Sequence, residues 1–175
     1  LIDTHCHLDK YDNLDDLIKK VFKTDVGKII ISGYDVKSSI NAIKLAHKYS
    51  NVYATVGFHP HECTEIKDED YDLFEDWFLD EKVVGIGEIG LDYYYDEDTE
   101  TKQIDVFRKQ LIIAEQYKKP VVIHNRDASD AIYEILCDFN VVGAIHCFND
   151  NIDMAKKFID LGFFLGIGGI ITFKN

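Results

Sequence analysis

His5 and His7 flank a cysteine directly after the apolar opening Leu1-Ile2. On a strand alternate residues share a face, so two imidazoles at this spacing can reach one metal ion. Glu88, His124 and His146 recur at the downstream ends of later short apolar runs. Neutral imidazole suits zinc and other borderline divalent ions, and a carboxylate can bridge two cations while offsetting their repulsion. With His5 and His7 on one ion, His124 and His146 on a second and Glu88 between, the pattern predicts a two-metal centre with ions about 3.5–4 Å apart. The chemistry expected of such a centre is hydrolysis, because paired cations generate hydroxide near neutral pH and clamp an anionic oxygen in the transition state. Each residue alone has a blander reading: an isolated His-x-His is a weak signal, and His124 by itself could be a core histidine bonded to backbone. The five together carry the inference.

Further candidates fall on the same side of the predicted strands. In Gly57-Phe58-His59-Pro60-His61, His59 and His61 follow the third apolar run, where they can meet substrate or join a metal shell; the alternative is a proline-stiffened turn with solvated rings. Asp92 comes one turn after Glu88 and can orient a ligand or a water. Arg126, two residues past His124, offers a fork that matches phosphate oxygens, or else a surface ion pair with Asp127 or Asp130. His47, beside Lys44 and Lys48, reads as a solvated surface residue. Gly85-x-Gly87-x-x-Gly90 spells a dinucleotide fingerprint, but no acidic residue ends a second strand about twenty positions on, and Glu88 interrupts the phosphate turn. These glycines are better explained by close backbone approach around Glu88.

What must position these groups is an alternation of strands and helices. Short β-branched or aromatic runs occur at 1–4, 28–32, 52–56, 83–86, 121–123, 142–145 and 163–167. Amphipathic stretches separate them near 13–23, 36–49, 71–79, 99–117, 127–139 and 151–161. The clearest is 99–117, where Ile104, Phe107, Leu111 and Ala114 form one stripe and Lys118-Lys119-Pro120 a stop. The acidic, tyrosine-rich stretch 92–99 reads as a strand-to-helix loop. Strict alternation implies parallel pairing and the α/β class. A doubly wound open sheet and a barrel both fit, and the ligands decide: histidines after the first, fifth and sixth strands and a glutamate after the fourth converge only if the sheet curls.

The chain has 175 residues, 46% of them hydrophobic, enough for the core of one domain. Its net charge of -13 opposes loose binding to nucleic acid or anionic membranes, so a phosphate-bearing substrate needs local help from bound cations. Cys6, Cys63, Cys137 and Cys147 have no C-x-x-C spacing, and no secretory signal or stretch of eighteen apolar residues is present. A reducing, cytoplasmic location without a membrane partner follows as the expectation. Cys6 and Cys147, each next to a proposed histidine ligand, are expected to face the other way as buried small apolar residues. Oligomeric state leaves no signal.

At this level of detail the residues resemble the TatD family of metal-dependent deoxyribonucleases, within the amidohydrolase-like barrels. The matching strings are Asp3-Thr4-His5-Cys6-His7-Leu8-Asp9, Val56-Gly57-Phe58-His59-Pro60-His61, Gly87-Glu88-Ile89-Gly90-Leu91-Asp92, Val122-Ile123-His124 with Arg126, and His146-Cys147-Phe148. The resemblance implies a (β/α)8 TIM-type barrel with two divalent ions (Mg, Mn or Zn) held by His5, His7, Glu88, His124 and His146. It also implies an aspartate at the end of an eighth strand, which this chain does not carry: it stops in Ile170-Ile171-Thr172-Phe173-Lys174-Asn175. Seven strands are therefore expected, in a single barrel domain over 1–175 that is truncated at its C-terminus. The first and seventh strands should then expose their edges. The function implied is hydrolysis of DNA phosphodiesters, exonucleolytic on a single strand or an end, with Glu88 at the catalytic centre and His59, Arg126 and Asp92 toward substrate. The alternatives are hydrolysis of another ester, lactone or amide by the same barrel, or a non-catalytic metal-binding remnant.

Overall fold

The computed structural model describes residues 1–8, 11–95 and 97–173, so Asp9, Asp96, Lys174 and Asn175 of the segments named above lie outside the described residues. Seven strands alternate with six helices: β1 Ile2–Cys6, α1 Leu14–Val21, β2 Lys28–Ser32, α2 Val36–Lys48, β3 Val52–Val56, α3 Leu73–Phe78, β4 Val83–Asp92, α4 Glu100–Tyr117, β5 Val121–Arg126, α5 Ser129–Leu136, β6 Gly143–Ile145, α6 Ile152–Asp160 and β7 Phe164–Leu165. Among the described residues these strands form one sheet in the order of the chain, β1 to β7, with every pair parallel. A doubly wound sheet reverses its strand order at a switch point, whereas a barrel never does. The unbroken order settles the class as α/β, a curled half-barrel of the TIM type.

The curl is visible in one bond. The amide of Glu88 donates to the carbonyl of Gly33, just past β2, at 2.6 Å, reaching across the intervening β3. Close approach at the carboxyl ends depends on glycine: a Cβ on Gly90, whose φ is +145°, would sit 2.0 Å from the carbonyl oxygen of His124, and one on Gly87 would sit 2.7 Å from Val122 Cβ. This is the backbone role expected of these glycines. It also explains why the fourth strand is longer than the apolar run 83–86: its pairing with β5 shifts register between Ile86 and Ile89 and then continues to Asp92↔Arg126. Glu88 thus lies inside β4, not after it.

Helices pack outside the sheet. On α4 the predicted stripe is buried at Phe107, Leu111 and Ala114, with Ile104 partly so, and the helix ends at Lys118, whose φ of 52° breaks it before Lys119 and Pro120. Burying a side chain such as Phe107 or Leu111 stabilises the fold by about 1.5–3 kcal/mol. α2 is capped reciprocally, since Asp35 accepts the Ser38 amide at 2.5 Å and Ser38 Oγ accepts the Asp35 amide at 2.8 Å. Among the described residues β1 and β7 each pair on one side, and Leu1, Ile2, Phe164, Ile167, Ile171 and Phe173 are exposed. No helix among the described residues is long and apolar enough to cross a membrane.

Candidate metal centre

The described histidines and acids singled out at strand ends, His5, His7, His59, His61, Glu88, Asp92, His124 and His146, converge on the carboxyl ends of β1, β4 and β5 and the turns after β3 and β6. Glu88 is the hub, 4% exposed. Its Oε2 lies 3.3 Å from His5 Nε2 and 3.1 Å from His7 Nε2, and these two nitrogens are 3.2 Å apart. Its Oε1 lies 2.7 Å from His124 Nδ1 and 2.8 Å from His146 Nε2, themselves 3.5 Å apart. One carboxylate oxygen therefore faces each histidine pair. His59 approaches the second side, 3.8 Å from Oε1, so that His59, Glu88 and His124 make a second three-residue group beside His5, His7 and Glu88.

The donor set fits a cation. His7 Nδ1 sits 3.1 Å from the Ser32 carbonyl, which can only accept, so Nδ1 carries the hydrogen and Nε2 is left facing Glu88 Oε2. With a bare lone pair there, two acceptors oppose each other, an arrangement that holds only with a proton or a metal ion between. One proton satisfies a single pair of atoms, whereas a divalent ion takes His5, His7 and Oε2 together. His124 is similar: Nδ1 meets Glu88 and Nε2 meets Asp92 Oδ2 at 3.1 Å, carboxylates on both sides. Histidine ligands with the second nitrogen held by a carboxylate or carbonyl are the usual way a site fixes the ring.

Electrostatics follow from this crowding. Burial raises the Glu88 pKa, but the bonds from His124, His146, His5 and His7 outweigh it and hold the carboxyl well below its ordinary range. Burial lowers the His124 pKa, yet Glu88 and Asp92 together raise it above the ordinary histidine value. For His59 the balance falls the other way: burial first, then neighbouring His124, outweigh the raising effect of Glu88 and Asp92 and push it down to about 3, so its ring is neutral.

Asp92 is 1% exposed, with Oδ2 on His124 and, at 2.9 Å, on His61, and with Oδ1 accepting the amides of Tyr94 and Tyr95. That burial sets it to orient His124. Arg126 forms no ion pair with Asp127 or Asp130 among the described residues; its guanidinium lies 4.7 Å over the Tyr94 ring. His47 is exposed but 2.7 Å from Asp80. The expectation for the cysteines is corrected: Cys147 is exposed and Cys6 only half-buried. β6 ends at Ile145 and Cys147 has a φ of 45°, so strand alternation no longer dictates where it points.

Three supporting residues escaped the sequence reading. Ser32 ends β2, and its Oγ lies 3.0 Å from His5 Nδ1 while its carbonyl holds His7. Gln110 grips Phe58 on both sides, accepting its amide at 2.7 Å and donating to its carbonyl at 3.0 Å, and so sets the turn that carries His59. Gln103 does the same for Asp92, at 2.8 and 2.9 Å. A signal existed for the glutamines: both are polar residues on the buried side of α4, and a buried amide needs partners. A cavity of about 280 Å³ lined by His7, Tyr34, His59, His61, Glu62 and Glu88 opens onto the centre.

Comparison with known proteins agrees with this arrangement. A family model described as TatD related DNase matches residues 2–175. YabD of Bacillus subtilis (strain 168), described as an uncharacterized metal-dependent hydrolase, is 35% identical over the whole of this chain and 71% of its own length. YcfH of Escherichia coli (strain K12), with the same description, is 33% identical over the whole chain and 69% of its own length. Among solved structures, the TatD homolog YjjV of Escherichia coli K12 superposes with a TM-score of 0.90 at 30% identity, covering 99% of this chain and 70% of that one.

Proposed function

The chain belongs to the TatD-related DNase family, whose relatives compared above are metal-dependent hydrolases, and from that premise we propose that its reaction is hydrolysis of DNA phosphodiester bonds, exonucleolytic on a single strand or an end. The observation that carries the reading is Glu88, with one oxygen toward His5 and His7 and the other toward His124 and His146. In this reading His5, His7 and Oε2 hold one divalent ion, and His124, His146 and Oε1 a second, drawn from Mg²⁺, Mn²⁺ or Zn²⁺. When bound, such ions supply Lewis acidity toward a phosphoryl oxygen and acidify water.

The protein's own groups prepare the site for that chemistry. Glu88 stays anionic because four imidazoles face it, so it gives negative charge to both sides without having to lose a proton first. Ser32 and Asp92 fix the rings of His5, His7 and His124, so the ligand nitrogens need little reorganisation. His59, neutral and 12% exposed, offers a hydrogen bond on the cavity side, and Arg126 offers a fork to a phosphate. Residues 1–175 act as one domain. A reducing cytoplasm suits it, since no disulfide joins the described cysteines.

The test is release of nucleotides from 3′-labelled single-stranded DNA with Mg²⁺, Mn²⁺ or Zn²⁺, with and without chelator. Metal-dependent release is expected. Hydrolysis of carboxylic esters, lactones or amides in a parallel panel, with DNA left intact, would replace the substrate and keep the centre.

A further inference from the structure

Past Asp92 the chain runs into Tyr93-Tyr94-Tyr95, and the last two contribute little to the core. Tyr94 and Tyr95 are 55% and 67% exposed, whereas Phe58, Phe74, Phe107 and Phe158 are fully buried. Exposure here is not looseness. Asp92 Oδ1 accepts the Tyr94 amide at 3.1 Å and the Tyr95 amide at 3.2 Å, while Oδ2 of the same carboxylate holds His61 and His124. The Tyr93 amide donates to the Arg126 carbonyl at 2.9 Å, which ties the segment to β5.

The rings form a series leading away from the cavity. His61 and Tyr95 are edge-to-face at 5.7 Å, Tyr95 and Tyr94 at 4.6 Å, and the Arg126 guanidinium covers Tyr94. A guanidinium stacked on a ring keeps its in-plane N–H donors for a second partner. Arg126 Nε is in addition a buried donor with no acceptor among the described residues. Exposed aromatic faces beside an arginine match an unpaired nucleotide: the base stacks and its phosphate meets the fork. In a duplex the bases are already stacked and paired, and cannot use such a surface without being flipped out.

We propose that Tyr94 and Tyr95, with Arg126, form a stacking platform for an unpaired nucleobase next to the candidate metal centre. The proposal rests on the nuclease reading above and names what selects its substrate. It also resolves a difficulty of charge: at -13 the chain does not attract nucleic acid electrostatically, whereas stacking is indifferent to net charge.

Fluorescence anisotropy of labelled oligothymidylate, against a tetrahydrofuran abasic oligomer of equal length, tests it with Mg²⁺ present. The full chain should bind the base-bearing strand about tenfold more tightly than the abasic one, within the range measured for base–aromatic stacking. Tyr94→Leu/Tyr95→Leu should bind both strands alike, and Tyr94→Phe/Tyr95→Phe should restore the preference. Equal affinity of the unaltered protein for the two strands overturns the platform, as does a folded Leu variant that keeps the preference. Cleavage of the same strands reads the nuclease proposal separately: hydrolysis with equal affinities removes only the platform, while base-dependent binding without hydrolysis removes only the nuclease.

Discussion

Glu88 is the residue on which the proposed chemistry turns, because no other described carboxylate touches both histidine pairs. Glu88→Ala should abolish turnover while leaving the circular dichroism spectrum intact; activity near that of the unaltered protein would take Glu88 out of the mechanism. Asp92 acts one bond further out, through His124 Nε2 at 3.1 Å. Asp92→Asn should cost about 10- to 100-fold in metal affinity or activity, the usual effect of losing a group that orients a ligand. His59 gives a pH signature in the metal-free protein. Its folded pKa is depressed to about 3 from 6.5, so the unfolded chain takes the proton first, and the stability it contributes is present above pH 6.5 and lost as pH falls toward 3. His124, whose pKa is raised, works in the opposite direction, so the His59 share is read by difference. His59→Gln should flatten the decline in melting temperature over that window, and an unchanged slope would contradict a neutral buried ring. At this scale the five proposed ligands were legible because each stands out as a polar residue at the end of an apolar run. Ser32 was not, since a serine ending a strand announces nothing until its neighbours are known.

At the scale of elements, alternation of apolar runs with amphipathic stretches is enough to recover seven strands and six helices, because parallel strands are buried on both faces and helices on one. Boundaries were less legible where tertiary pairing overrides composition. β4 continues six residues beyond its run 83–86, through Glu88 to Asp92, because Gly87 and Gly90 let it press against β5. β7 is only Phe164–Leu165, shorter than the run 163–167, and among the described residues it pairs with β6 through Ala144↔Phe164 and Ile145↔Leu165. The turn after β3 depends on α4, a dependence that no local pattern encodes. Gln110→Ala removes both bonds to Phe58 and leaves a buried amide and carbonyl unpaired, at roughly 1–3 kcal/mol per unsatisfied group. Thermal unfolding should show that loss, together with a raised KM if His59 meets substrate. Unchanged stability would mean that water replaces the glutamine.

Over residues 1–175 the chain is an acidic half-barrel, and in the proposed reading the cationic character at the site comes from Arg126 and the ions that the centre would hold. Binding of single-stranded DNA should therefore depend weakly on monovalent salt, with log affinity against log salt sloping at about -0.7, one phosphate neutralised by one arginine. A slope several times steeper would reveal a basic surface that the fold does not show. The in-order sheet and its convergent strand ends serve one arrangement, two histidine pairs on opposite oxygens of a buried glutamate. Anomalous diffraction from crystals grown with Mn²⁺ tests that arrangement most directly. Two peaks are predicted, one among His5, His7 and Glu88 Oε2 and one among His124, His146 and Glu88 Oε1. Full-occupancy peaks elsewhere, or none at Glu88, would contradict it.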